Sequence, residues 1–276
     1  MLDKPLAHEY LGPQFRRALF VQDYISNRLK PTSESDLSAM DSMCEPLEYS
    51  NYVSTLLRFS ASTLNDVPRL LGFSDDHPEY LTELNLSSFS VFRQSLECSA
   101  LAVWLMLPLN KKARIRRYIQ AGRDENRRRV DFARSMGVDV RDEVDQKEVT
   151  LRAIERKFSL ESLGKNQKLP QISQIFRSLT FLDHDSTWLK SWNLCSGMIH
   201  GSQWALIEVV RNDEVMDGLF HTYLNYPAVW KILETTVSLL DLASTKYCHL
   251  AGTLDFALSD NDGASMLISD RASTSF

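Results

Sequence analysis

The sequence predicts an all-α fold, a single helical-bundle-like domain of about eight helices. Three observations carry this. Apolar residues recur at 3–4 spacing along most of the chain. No convincing run of alternating β-branched residues appears. Glycine and proline are scarce, ten and nine in 276 residues, too few for a chain of tight β-turns or for a glycine-rich phosphate loop. Hydrophobic residues make up 43% and charged residues 24%, which excludes disorder as the main state.

The elements follow in chain order. The first helix is expected over Gln14–Leu29 and ends before Pro31, because proline disfavours helix in the residue preceding it. A polar loop is expected to about Met43. Tyr49, Val53, Leu56, Leu57, Ser60 and Leu64 mark a second helix over Pro46–Val67, interrupted at Pro68 and Gly72. Phe73–Leu84 reads as a loop. The most apolar helix spans Ser87–Leu107 and is the candidate centre of the bundle. A basic helix over Asn110–Met136 closes at Gly137. A charged helix follows over Asp139–Phe158, then a linker over Gly164–Pro170 and a short helix over Gln171–Leu179. Asp185 is the expected N-cap of one long helix reaching Val210. A loop holding Asp213, Asp217 and Gly218 leads to a last helix, opened by Pro227 and reaching about Leu254. The domain is thus expected over residues 1–258, with an N-terminal helical subdomain over 1–80 as an alternative division. The Ser- and Asp-rich tail 259–276 is expected to be disordered.

The N-terminus has no basic segment followed by an apolar stretch, and the apolar window Ala100–Leu109 is too short to cross a bilayer. Four scattered cysteines form no C-x-x-C pair, so no zinc knuckle or disulfide framework is expected. A cytoplasmic protein with free thiols and no membrane contact is the expectation. No metal-ligand spacing, Walker A loop or dinucleotide fingerprint is present, so no metal and no cofactor are expected.

Polar residues on faces that look buried are the informative ones, because burying them costs energy unless they are paired. Arg93 and Glu97 stand four apart on the central apolar helix and share one face. They read either as an intrahelical ion pair or as site residues, a carboxylate base and a phosphate-gripping arginine. In the helix assigned to 185–210, Asn193, Ser196, His200 and Gln203 fall on one stripe. Gly197 and Gly201, four apart, suggest a close crossing beside it. His200 is the single best catalytic candidate, since imidazole exchanges protons near neutral pH, with a hydrogen-bonded core histidine as the alternative.

Charge patterning supplies the third feature. Between Lys111 and Arg134 there are ten basic and three acidic residues, a local charge of +7 that leaves −12 for the rest of the chain. Arg114, Arg116, Arg117, Arg123, Arg127 and Arg128 are the candidate binding residues, since the guanidinium fork suits phosphate. The alternative is a solvated face that pairs with acids elsewhere in the fold.

Arg93-Gln94-Ser95-Leu96-Glu97 on a central helix, with Ser196-Gly197-Met198-Ile199-His200-Gly201 late in the chain, resembles the HEPN-like superfamily over about residues 45–255. Active members are metal-independent ribonucleases, often in toxin–antitoxin and phage-defence systems, whose site is an arginine, four to six residues, then a histidine. His200 matches the histidine. Positions 193 to 195 hold Asn193, Leu194 and Cys195, so the arginine is missing, and Arg93 or a residue of the basic helix has to replace it. The resemblance implies RNA or a phosphorylated ligand as substrate, His200 as general acid or base, and a homodimer whose site spans both copies. The rival expectation is a non-catalytic interaction protein whose basic helix docks an acidic partner.

Overall fold

The computed structural model describes residues 12–23, 30–71, 86–160, 168–183, 185–216 and 219–253. Ten helices and a two-stranded hairpin are built from them, which makes the chain an all-α protein. In order they are α1 (12–23), α2 (Asp36–Cys44), α3 (Tyr49–Leu70), α4 (Ser87–Met106), α5 (Lys111–Met136) and α6 (Arg141–Lys157). Then come α7 (Ile172–Ser178), α8 (Thr187–Ile199), α9 (Gln203–Val209), β1 (Val210–Met216), β2 (Leu219–Leu224) and α10 (Tyr226–Ala251).

The most apolar helix is central. Phe89, Phe92, Leu96, Ala100, Ala102, Val103, Leu105 and Met106 of α4 are all fully buried. Three helices, α3, α8 and α10, pack along it. Serines set the α3–α4 distance. The Ser60 hydroxyl reaches the Ser95 carbonyl at 3.0 Å, the Ser95 hydroxyl at 2.7 Å and the Ser99 hydroxyl at 2.8 Å, all buried. Small side chains let the two helices close in, and the hydroxyls satisfy one another.

Helix ends follow local chemistry. Asn110 accepts the Lys112 N–H at 2.8 Å and starts α5, and Gly137, at φ +68°, ends it. The α2 helix corrects the expected loop. Ser35 caps it by accepting the Ser38 N–H at 3.1 Å, and Leu37, Met40 and Cys44 form a buried 3–4 stripe. The α3 helix continues through Pro68 to Leu70, because a proline in the last turn removes only one hydrogen bond.

The expected single helix over 185–210 is two helices. Gly201, at φ +63°, donates to the Met198 carbonyl at 3.1 Å, and Ser202 donates to the Gly197 carbonyl at 2.8 Å. That pair of bonds is a helix stop, and α9 leaves in a new direction. Nor does Asp185 cap α8. Ser186 takes the N-cap position at φ 53°, while the Asp183 carboxylate accepts the Trp188 N–H at 2.7 Å and the Thr187 hydroxyl at 2.8 Å. The expected loop after Val210 contains the antiparallel β1–β2 hairpin, with Val210 opposite Leu224 and Asp213 opposite His221. Pro227 does open α10, which ends at Gly252 in the left-handed conformation. The expected loop over 73–84, most of the linker over 164–170 and the tail lie outside the described residues.

One buried charge holds α1 to the bundle. Asp241 of α10 is 5% exposed and forms an ion pair with Arg17. Its carboxylate oxygens are sealed from solvent, and Arg17 is the cation that meets them. Burial pushes its pKa up to about 6 from 3.8, against the pull of Arg17. The fold therefore holds this proton more tightly than the unfolded chain does. Its contribution favours the fold most below about pH 4 and is lost as the pH rises to about 6. Asp241→Asn should gain stability relative to the wild type between pH 4 and 7, by up to about 3 kcal/mol. Urea unfolding at both pH values checks this, and an unchanged difference would reject it.

Candidate functional site

Arg93 and Glu97 meet as their spacing requires. Arg93 Nε donates to Glu97 Oε1 at 2.7 Å, and both side chains are about one-third exposed. The helical stripe did not reveal their third partner. Trp192 of α8 donates its indole N–H to the same Oε1 at 2.8 Å, and the Arg93 guanidinium lies 5.6 Å from the centre of that ring. Phe176 of α7 packs on the other part of Trp192, with ring centres 5.7 Å apart. The result is a closed polar clasp between α4 and α8, with the carboxylate already accepting from two donors.

His200 does not join it. It lies at the C-terminal end of α8, exposed to solvent, eight residues beyond Trp192 or about 12 Å along the helix. No hydrogen bond or ion pair links it to Arg93 or Glu97. The stripe predicted through His200 is cut at the same point. Asn193 is exposed and Ser196 half-buried on α8, while Gln203 is exposed on α9 after the turn. The two glycines have separate reasons. Gly201 supplies the left-handed turn. Gly197 makes room for α9, since a Cβ there would lie 2.7 Å from Trp204 Cζ2 and 2.8 Å from Ala205 Cβ. Ile199, Trp204 and Ile207 remain partly exposed around this crossing.

The basic helix divides into two halves. Its distal half is neutralised, partly by α6 and partly by acids of α5 itself. Arg123 grips Glu155 through two nitrogens at 3.2 and 2.8 Å and also reaches Glu148 at 3.3 Å. The Glu155 hydrogen bond, with the charge of Glu148, raises the Arg123 pKa. Arg127 and Arg128 share the buried Asp124, Arg129 pairs with Glu143, and Arg134 lies 3.6 Å from Asp131. Acidic Glu125 is taken by Lys147 at 2.7 Å. Gly122 brings α6 close, with Leu151 across from it.

The proximal half keeps its charge. Lys111, Lys112, Arg114, Arg116 and Arg117 occupy the first two turns, and among the described residues Asp36 of α2 is their one ion-pair partner. Lys111 holds Asp36 at 3.0 Å, and that hydrogen bond keeps the Asp36 carboxyl below its ordinary value. Arg114 is 3% exposed, donates from Nε to the Pro108 carbonyl at 2.6 Å, and approaches Asp36 only to 3.6 Å. Arg117 lies 4.5 Å over the Trp104 ring and donates to the Trp104 carbonyl. Exposed Lys112 and Arg116 have no ion pair or side-chain hydrogen bond among the described residues.

Sequence reasoning missed Lys246 and Asp241. Asp241 stands buried between Leu240 and Leu242 on α10, so the test that singled out Arg93 and Glu97 applies equally to it, and Lys246 is half-buried five residues on. The four cysteines are free, and burial pushes the Cys44 and Cys98 thiols up to about 12, away from nucleophilic use. Among the described residues, no group of three His, Cys, Asp or Glu side chains could hold a metal ion. Among them, too, no helix is long and apolar enough to cross a membrane. Compared with known proteins, the chain matches no family model, no curated protein and no solved structure.

The Gly197 contact is testable. Gly197→Ala should destabilise by about 1–2 kcal/mol despite alanine's better helix propensity, because the Trp204 ring and Ala205 must shift. Adding Trp204→Ala should recover part of the loss in chemical denaturation. Two independent, additive losses would show that the contact is not the cause.

Proposed function

We propose that this protein acts by binding an acidic partner at the proximal end of α5, and not by catalysis at His200. One observation carries the reading: five cations in the first two turns of α5 face a single acid, whereas the distal arginines are neutralised within the chain. Surface ion pairs contribute little to stability, so an uncompensated cluster is poorly explained as a folding device. It is well suited to attract and orient an anionic ligand or an acidic protein surface. The separation of His200 from the Arg93–Glu97–Trp192 clasp supports a non-catalytic role.

Anisotropy of a labelled oligo-glutamate peptide tests this. Binding should weaken steeply as salt is raised through the physiological range. Charge reversal at Lys112 and Arg116 together should weaken it by at least about tenfold, and reversal at Arg127 and Arg128 much less. A flat salt response, or equal losses from both pairs, would reject the proximal site.

A second reading has one observation in its favour. His200 is exposed at the C-terminal end of α8, open to a ligand from solvent. In the HEPN-like reading it would exchange protons with a ribose hydroxyl, and a second copy would supply the missing arginine. Metal-free cleavage of total RNA by the wild type, lost in His200→Ala, is the outcome this reading requires. Absent cleavage, or equal cleavage by both proteins, removes it.

A further inference from the structure

The tip of the α5–α6 hairpin lacks a third layer. From residue 127 to residue 150 it buries one side chain, Ala133. The α6 helix packs chiefly on α5 and comes back to α2 at its far end, where Lys157 donates to the Met43 carbonyl at 3.4 Å. Ion pairs hold the tip together instead, Arg129 to Glu143 and Lys147 to Glu125 at 2.7 Å. Apolar side chains stand in water there. Phe132 is 66% exposed, Met136 63% and Val138 58%. Phe132 and Met136 are one turn apart on one face. Phe132 follows Tyr118 by fourteen residues and Ala121 by eleven, so it lies on their side of α5. Tyr118 and Ala121 are buried, and Tyr118 stands edge-on to Tyr49 and Tyr52 of α3, with ring centres 5.5 and 5.6 Å away. The apolar face of α5 thus resumes beyond the helices that cover it. A clustered apolar face in water marks an interaction surface.

Charge indicates what covers it. Residues 127–136 carry Arg127, Arg128, Arg129 and Arg134 against Asp131, a net +3. Residues 139–145 carry Asp139, Asp142, Glu143 and Asp145 against Arg141, a net −3. Pairing within the chain leaves charge on both helices. Arg127 and Arg128 share the one carboxylate of Asp124, and Arg134 comes only within 3.6 Å of Asp131. Asp142 and Asp145 are exposed and have no ion pair among the described residues. A nucleic acid, an anionic membrane or an acidic protein is repelled by the start of α6, and a basic partner by the end of α5. A second copy of the chain carries both charges. In a two-fold pairing every contact occurs twice, so each α5 can lie against the other copy's α6.

We propose that the tip of the α5–α6 hairpin is a homodimer interface. Phe132 and Met136 of the two copies pack together, and the cationic end of each α5 lies against the acidic start of the partner's α6. This goes beyond the anion-binding reading and is independent of it. Lys112 stands twenty residues before Phe132, about 30 Å away along the helix, and is left uncovered.

Sedimentation velocity of the full chain over a concentration series tests the interface. A monomer–dimer equilibrium is expected, weakening as salt is raised. Phe132→Ser together with Met136→Ser should weaken the dimer by at least about tenfold. Both side chains are exposed in the single chain, so helix content by circular dichroism should not change. Arg128→Glu with Arg134→Glu, or Asp142→Lys with Asp145→Lys, should weaken it by at least about tenfold as well, because like charges then face each other. All four charge changes in one chain should restore the dimer, since the two helices are again of opposite sign. A chain that stays monomeric at every soluble concentration overturns the proposal, and so does a dimer that survives the serine pair or either charge reversal. Failure of the fourfold variant to regain the dimer, with helix content intact, overturns the pairing of α5 with α6. Capture of a monomer on phosphatidylserine vesicles, lost in the serine pair, gives the face to a membrane instead.

Discussion

The seating of α3 against α4 is the contact on which the rest of this fold depends. Three serine hydroxyls, from Ser60, Ser95 and Ser99, meet in a fully buried position and satisfy one another. Larger side chains there would force the helices apart, and an unpaired hydroxyl would cost about 1–3 kcal/mol. With α3 held close on one side, α4 still has two faces free, and α8 and α10 cover them. A helix that is apolar nearly all round can exist only in such a centre. The Arg93–Glu97–Trp192 clasp lies where α4 meets α8, so the one charged pair on α4 acts as part of the same packing.

Charge is distributed by a different rule. The α5–α6 hairpin is held together by paired charges, with a thin apolar contact of Leu151 and Ile154 beneath them. Each exposed pair contributes little, but together they fix which face of α6 lies on α5. The first turns of α5 escape this neutralisation because α6 does not extend back over them. They meet α2 instead, which offers one aspartate. The electropositive character of the whole basic segment is therefore concentrated at one end of it.

How far the sequence could be read depended on how local the signal was. Where a single residue type decides an element, as with Asn110 and Gly137 for α5 or Pro227 for α10, the expected and observed bounds nearly coincide. The α2 stripe of Leu37, Met40 and Cys44 was also present but was outweighed by the polar residues around it. The β1–β2 hairpin had its signal in Asp217-Gly218, a turn dipeptide of the kind that joins two strands. The charged run Val210–Met216 before it hid the strand pattern. Gly201 was noticed as unusual, but spacing alone does not say whether a glycine admits a neighbour or ends a helix.

The sequence by itself determined that the chain is all-α, that α4 is its centre, that Arg93 and Glu97 pair, and that α5 is strongly basic. Each of these follows from residues within a few turns of one another on a single helix. Only the tertiary structure decided which charges survive. Pairing Arg123 with Glu155 and leaving Arg116 without an ion pair both depend on which helices lie side by side. It likewise left His200 apart from the Arg93–Glu97 pair, because that pair closes on Trp192, eight residues back along α8, while the Gly201 turn leaves the histidine at an exposed helix end. Coulomb interaction depends on distance in space, and helix periodicity reports distance only along one helix.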